Sequence, residues 1–109
     1  MAELDVEKLV QEMGKAALPH LKGGAAKAKE FGRVEAEKMA RTAQMLALGV
    51  AGGKIDEDEA TLILDVQKNA SRSVLLTIKG LGIVAVENAV NAAMDVLKKA
   101  IKKATGVIL

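Results

Sequence analysis

Apolar residues recur every three or four positions along the first part of the chain, and charged residues occupy the positions between them. This spacing predicts an amphipathic helix over about residues 3–18. Pro19 disfavours helical geometry at the residue before it, and the glycine pair at 23–24 frees the backbone, so we expect the helix to end before residue 24. The apolar face consists of Val6, Leu9, Val10, Met13 and Ala17.

A second helix is predicted over about residues 25–50, where glycines 49, 52 and 53 supply a stop and a turn. Its apolar side contains a small residue at every fourth position. Such a row lets the backbone of another helix approach closely. The row consists of Ala28, Gly32, Ala36 and Ala40.

The third segment, about residues 56–104, begins with the acidic run 56–59 and ends with a lysine cluster. Acids at the start and cations at the end suit the dipole of one helix. An unbroken helix here would be about 70 Å long at 1.5 Å per residue, which is too long for a compact domain of this mass. We therefore expect either an elongated protein or a bend at Gly80–Gly82. A hairpin of two short strands within residues 73–86 is the minor alternative, because that stretch is rich in β-branched residues.

The apolar face of this third segment is wide, and its polar positions 72, 79, 87, 95 and 102 form a narrow stripe. A helix with so little polar surface is usually surrounded by neighbours. The fold we predict is all-α, with two shorter amphipathic helices and a long C-terminal helical segment in one domain, forming a helical hairpin or a bundle completed by oligomerisation. The predicted helix–helix interface residues are Ala28, Gly32, Ala36, Ala40, Ile78, Leu81, Val90, Met94, Leu97 and Ile101.

Composition narrows the function more than it defines it. Of the 109 residues half are apolar, but one Phe is the only aromatic residue, so Ala, Val, Leu, Ile and Met must form the core. The net charge of +2 is too small to indicate nucleic-acid binding. The absence of cysteine excludes disulfides and thiol chemistry. The first residues do not resemble a secretory signal, and no apolar run approaches the roughly 18 to 20 residues of a spanning helix, so we expect a cytoplasmic location or one within a particle.

Three local motifs invite a chemical interpretation, and each has a simpler one. Residues 56–59 lack the spacing of a calcium loop and are better explained as a helix cap. Gly52-Gly53-Lys54 lacks the Ser or Thr and the first glycine of a phosphate-binding loop. His20 has no partner at a catalytic spacing. We therefore predict no enzymatic activity, no cofactor, no metal site and no small-molecule substrate.

The excess of apolar and small side chains leads to the functional hypothesis. We expect a non-catalytic structural protein that forms homo-oligomers or packs into a larger assembly such as a virion or other particle. The alternative is a membrane-active protein, pore-forming or membrane-inserting. A third hypothesis is a small adaptor or regulatory module with a helical groove for one partner. In the membrane hypothesis, lipid headgroups would be contacted by Lys98, Lys99, Lys102 and Lys103.

Overall fold

The computed structural model describes residues 4–21 and 25–109, and the side chains of these residues other than 25–27 and 31. The helices are α1 (Val6–Ala17), α2 (Ala25–Ala51), α3 (Glu57–Leu76) and α4 (Ile83–Thr105), with a short 3₁₀ turn at Leu18–His20 after α1. No residue in the described ranges is in a strand. The all-α prediction is confirmed.

Local sequence signals set most of the helix ends. The Asp5 side chain accepts a hydrogen bond from the Lys8 amide at 3.2 Å and caps α1. At α3, Asp56 accepts from the Glu59 amide at 2.8 Å, and the Glu59 carboxylate accepts from the Asp56 amide at 3.3 Å. This is a complete capping box. The acidic run therefore starts a helix, as the sequence predicted.

The tight turn between α2 and α3 requires glycine at two positions, 49 and 53. Gly53 has a φ of +70°, a left-handed conformation that side chains disfavour. A Cβ added at Gly49 would lie 2.8 Å from the Ile55 side chain, so only glycine lets Ile55 fold back onto the end of α2.

The third segment is not one rod. The helix stops after Leu76, and a turn over residues 77–82 separates α3 from α4. Gly80 has a φ of +96°, and Gly82 is the N-cap of α4. The expected bend at Gly80–Gly82 is thus a complete chain reversal. The alternative of two strands within residues 73–86 is wrong, because residues 73–76 complete α3 and residues 83–86 begin α4.

Consecutive helices alternate in direction. Leu21, Ala28 and Ala89 meet at one end of the bundle, and the first residues of α1 lie beside the last residues of α4 at the other end. At the α2–α3 contact, the Thr42 hydroxyl donates to the Gln67 side-chain oxygen at 3.2 Å, which fixes the antiparallel register. The result is an up-down-up-down arrangement in which α1 and α3 each pack against both α2 and α4.

The four helices bury one main core. Its largest fully buried side chains include Met13, Leu46, Leu64, Leu97 and Ile101. The radius of gyration is 13.6 Å, close to the roughly 13 Å of a compact domain of 100 residues. The long dimension of 43 Å matches the length of α2, about 40 Å for 27 residues.

The polar stripe of the third segment does not lie on one continuous helix. Arg72 on α3 and Glu87 on α4 form an ion pair across the turn. Both side chains are more than one third exposed, so the pair contributes little to stability, about 0 to 1 kcal/mol. Its value is as a marker that α4 folds back beside α3.

Candidate functional site

The predicted interface residues lie mostly inside the bundle. Eight of the ten are buried, and Gly32 and Leu81 are half-buried. They pack helices of this chain against one another, so a second subunit cannot reach them unless the bundle opens. The buried eight are Ala28, Ala36, Ala40, Ile78, Val90, Met94, Leu97 and Ile101.

The lysine cluster at the end of α4 is fully on the surface. Lys99 and Lys103 line a shallow hollow between α4 and the start of α1, together with Asp5, Lys8 and Glu12. The apolar face of α4 that would accompany these lysines into a membrane is buried in the core. Among the described residues, no helix combines the length with the apolar character that a bilayer span requires.

A groove of about 750 Å³ runs between α1 and α2 and reaches α4 at its floor. A volume of this size falls within the roughly 300 to 1,000 Å³ of small-molecule sites. Residues from α1, α2 and α4 with small side chains keep it open: Gly14, Ala17, Gly32, Ala36, Ala89 and Ala93.

Gly14 begins the last turn of α1, and a glycine within a helix costs up to about 1 kcal/mol relative to alanine. Neither packing nor backbone conformation requires it. A Cβ at this position would have no neighbour within 4 Å, and the residue is not among those with a positive φ. By contrast, a Cβ at Gly32 would touch Leu21 at 3.4 Å. Because Gly14 has no side chain, the groove stays open at this position.

Two acidic side chains that line the groove are already in ion pairs. The Glu37 carboxylate lies 2.9 Å from the Arg41 guanidinium. Glu35 is 3% exposed, and its carboxylate accepts a hydrogen bond from Lys38 at 3.2 Å.

The remaining charged side chains of the groove have no ion-pair partner within the described part of the chain. Lys15 is near the end of α1, and Lys29 and Arg33 are near the start of α2. Because α1 and α2 are antiparallel, these three cations lie toward the same end. Glu7 lies toward the other end.

A second surface is apolar and fully outside the bundle. Leu62 and Val66, one helical turn apart on α3, are 65% and 62% exposed. Met45 on α2 is 55% exposed. The Thr42–Gln67 hydrogen bond sets residue 45 level with residue 64, between the two α3 residues. We call Met45, Leu62 and Val66 the outer face.

A third apolar surface lies at the end of the bundle where the 3₁₀ turn packs against α4. Leu18, Ile83 and Val84 are 39%, 64% and 72% exposed. We call these three residues the end patch. It lies about 27 Å from Lys102 along α4, at 1.5 Å per residue over the 18 residues between Val84 and Lys102, so apolar and basic surfaces are separated on this helix.

His20 is exposed and sits in the 3₁₀ turn. Within residues 4–21 and 25–109, no group of three or more histidine or acidic side chains is arranged to hold a metal ion. Every buried side-chain nitrogen or oxygen in these ranges has a hydrogen-bond partner. Ser71, for example, accepts from the Gln67 amide at 3.2 Å.

Comparison of the chain with protein-family models, with curated proteins and with solved structures found no match.

Sequence reasoning missed both the groove and the outer face. A signal for the groove was present, since Gly14 interrupts an otherwise regular amphipathic helix. A signal for the outer face was also present. Leu62 and Val66 fall on the opposite side of α3 from Ala60, Leu64, Ser71 and Leu75, which are buried.

Proposed function

We propose that this protein is a non-catalytic helical bundle that associates with a second copy of itself through the outer face. The observation that carries the proposal is the exposure of Met45, Leu62 and Val66 at one level of the α2–α3 hairpin. Three large apolar side chains at more than half exposure lie at one level of two neighbouring helices, and grouped apolar residues mark interaction sites more often than single exposed residues do.

The sequence of α3 favours a two-fold contact. Beyond Leu62 and Val66, the same side of the helix carries Asn69, Ala70 and Ser73, all exposed and uncharged. A copy related by a two-fold axis near residue 67 brings this uncharged strip against itself. In such an isologous interface, each residue of the patch is buried once in each of the two subunits.

Charge selects the antiparallel orientation of the two α3 helices. A parallel pair would place the two acidic runs at residues 56–59 side by side. An antiparallel pair separates them by about 30 Å, the length of 20 helical residues. That distance is well beyond the Debye length of about 8 Å at physiological salt. It also sets Lys79 of one subunit level with Asp56 of the partner subunit.

The end patch supports the larger-assembly form of the hypothesis. It lies at the end of the bundle, apart from the outer face, so contacts through it would add to the dimer and not compete with it. Two separate apolar surfaces on one chain allow a closed dimer through one and further subunits through the other. A component of a larger particle would use both.

The test is the mass of the protein in solution as a function of concentration. We expect sedimentation equilibrium to show a dimer that dissociates on dilution into the micromolar range, because the patch is smaller than a standard interface. The double variant Leu62→Asp and Val66→Asp should be a folded monomer, since both side chains are outside the core.

The matched control is Ile108→Asp. It exchanges an exposed aliphatic side chain, 72% exposed, for the same charge outside both the outer face and the end patch. The control should dimerise like the wild type. A wild-type protein that is monomeric at every concentration tested would refute the proposal, as would a double variant that dimerises unchanged. Flotation with vesicles containing anionic lipid distinguishes the membrane alternative, in which the wild-type protein would rise with the vesicles.

A further inference from the structure

We infer that the groove between α1 and α2 binds one anionic amphiphile with a single alkyl chain, as a free monomer taken from solution. The ligand class follows from the shape, the lining and the charge distribution of the groove. The site is separate from the outer face, so the inference does not depend on the proposed self-association.

The lining is suited to an alkyl chain. The floor and walls are formed by apolar side chains of all four helices, among them Val6, Val10, Leu75 and Val90. From Lys29 to Arg41 the groove follows α2 for about 18 Å, at 1.5 Å per residue. An extended alkyl chain of a common fatty acid is of this length. The groove is lined by small residues and closes onto α4, which suits a narrow chain better than a whole helix with its side chains.

The two ends of the groove differ in charge, and this difference would orient a bound amphiphile. Lys15, Lys29 and Arg33 lie toward one end and have no ion-pair partner in the described ranges, whereas Glu37 and Glu35 are neutralised by Arg41 and Lys38. A carboxylate or sulfate head would find three cations at this end. The alkyl chain would then run toward Glu7, the one unpaired acid of the groove.

Gly14 supports a ligand more directly than any other residue. It is a helix-interior glycine with open space where a side chain would be, in the wall of the groove. Any larger residue would narrow the groove beside Lys15, which explains a glycine that packing does not require.

The experiment is titration calorimetry of the wild-type protein with laurate below the concentration at which laurate forms micelles. We expect saturable binding of one laurate per chain. Dodecyltrimethylammonium, with the same chain length and a positive head, should bind at least tenfold more weakly. Backbone amide shifts on laurate addition should be confined to α1, the first half of α2 and the facing turn of α4.

Two pairs of variants test the site. Gly14→Leu should fill the groove and weaken laurate binding at least tenfold, while Gly14→Ala, which adds only a methyl group, should weaken it by a smaller factor. Both should unfold at a higher temperature than the wild type because they remove a helix-interior glycine. The double variant Lys29→Gln and Arg33→Gln should weaken binding about tenfold. Lys8→Gln, which removes an exposed lysine of α1 that does not line this groove, should not.

The inference is overturned if no saturable binding occurs, if Gly14→Leu binds laurate like the wild type, or if the cationic amphiphile binds equally well. It is also overturned if Gly14→Leu changes the oligomeric state instead of the affinity, because the groove would then hold a protein segment. Vesicle flotation should not distinguish Gly14→Leu from the wild type. A loss of flotation in that variant would assign the groove to a membrane lipid and contradict the free monomer.

Discussion

The chain reversal between α3 and α4 can be tested with two substitutions of the same kind, two residues apart. Gly80→Ser places a side chain at a φ of +96°, and Gly82→Ser places one at a φ of −85°, at the N-cap of α4. Left-handed backbone costs a residue with a Cβ about 1 to 2 kcal/mol. Stiffening of the unfolded chain offsets about 0.4 to 1 kcal/mol of this, so Gly80→Ser should destabilise the protein by about 1 kcal/mol.

Gly82→Ser should have the opposite sign. Its backbone is already in an extended conformation open to any residue, and a Cβ there would have no neighbour within 4 Å. Serine gains the same unfolded-state term, and its hydroxyl can accept from an amide in the first turn of α4, for a stabilisation of about 0.5 to 1 kcal/mol. The two variants should therefore differ by about 1.5 to 2 kcal/mol.

The measurement is urea unfolding followed by far-ultraviolet circular dichroism, with the free energy of unfolding extrapolated to zero urea. In a thermal melt the same difference corresponds to roughly 6 to 16 °C, at about 4 to 8 °C per kcal/mol for a small domain. Equal stabilities for the two variants would refute the reasoning. If residues 77–82 were helical, both glycines would be interior positions and both substitutions would stabilise.

Two further substitutions test the core and the α3 cap. Leu97→Ala removes a fully buried side chain and should cost about 2 to 5 kcal/mol in urea unfolding, whereas Leu62→Ala at 65% exposure should cost less than about 1 kcal/mol in the monomer. Asp56→Ala removes the N-cap of α3 and should cost about 0.5 to 2 kcal/mol, while Asp58→Ala in the first turn should cost less than half as much; equal effects would contradict the capping box.

The helical class was predictable because the forces that set it are local. The amphipathic spacing of α1 and the capping box of α3 involve residues no more than four apart. Such interactions are the same whatever the rest of the chain does. Glycine positions near 50 and 80 likewise indicated where the chain turns.

The row at Ala28, Gly32, Ala36 and Ala40 shows where local pattern stops being informative. It indicated correctly that this side of α2 is narrow, but a pattern on one helix cannot specify what covers it. In the structure, α1 and α4 of the same chain cover most of the row, and the part around Gly32 borders the groove.

Interactions within one or two helical turns made the helical class readable from the residue pattern alone. The reversal within residues 57–105 depends on tertiary contacts, which pair Arg72 with Glu87 across 15 positions and bury the wide face of α4 within the chain. Local preference does not choose here, because glycine at position 80 tolerates both a helical and a left-handed backbone at a small cost. The left-handed turn is favoured because it lets α4 bury its apolar face against α1, α2 and α3, and this stabilisation is spread over the whole bundle.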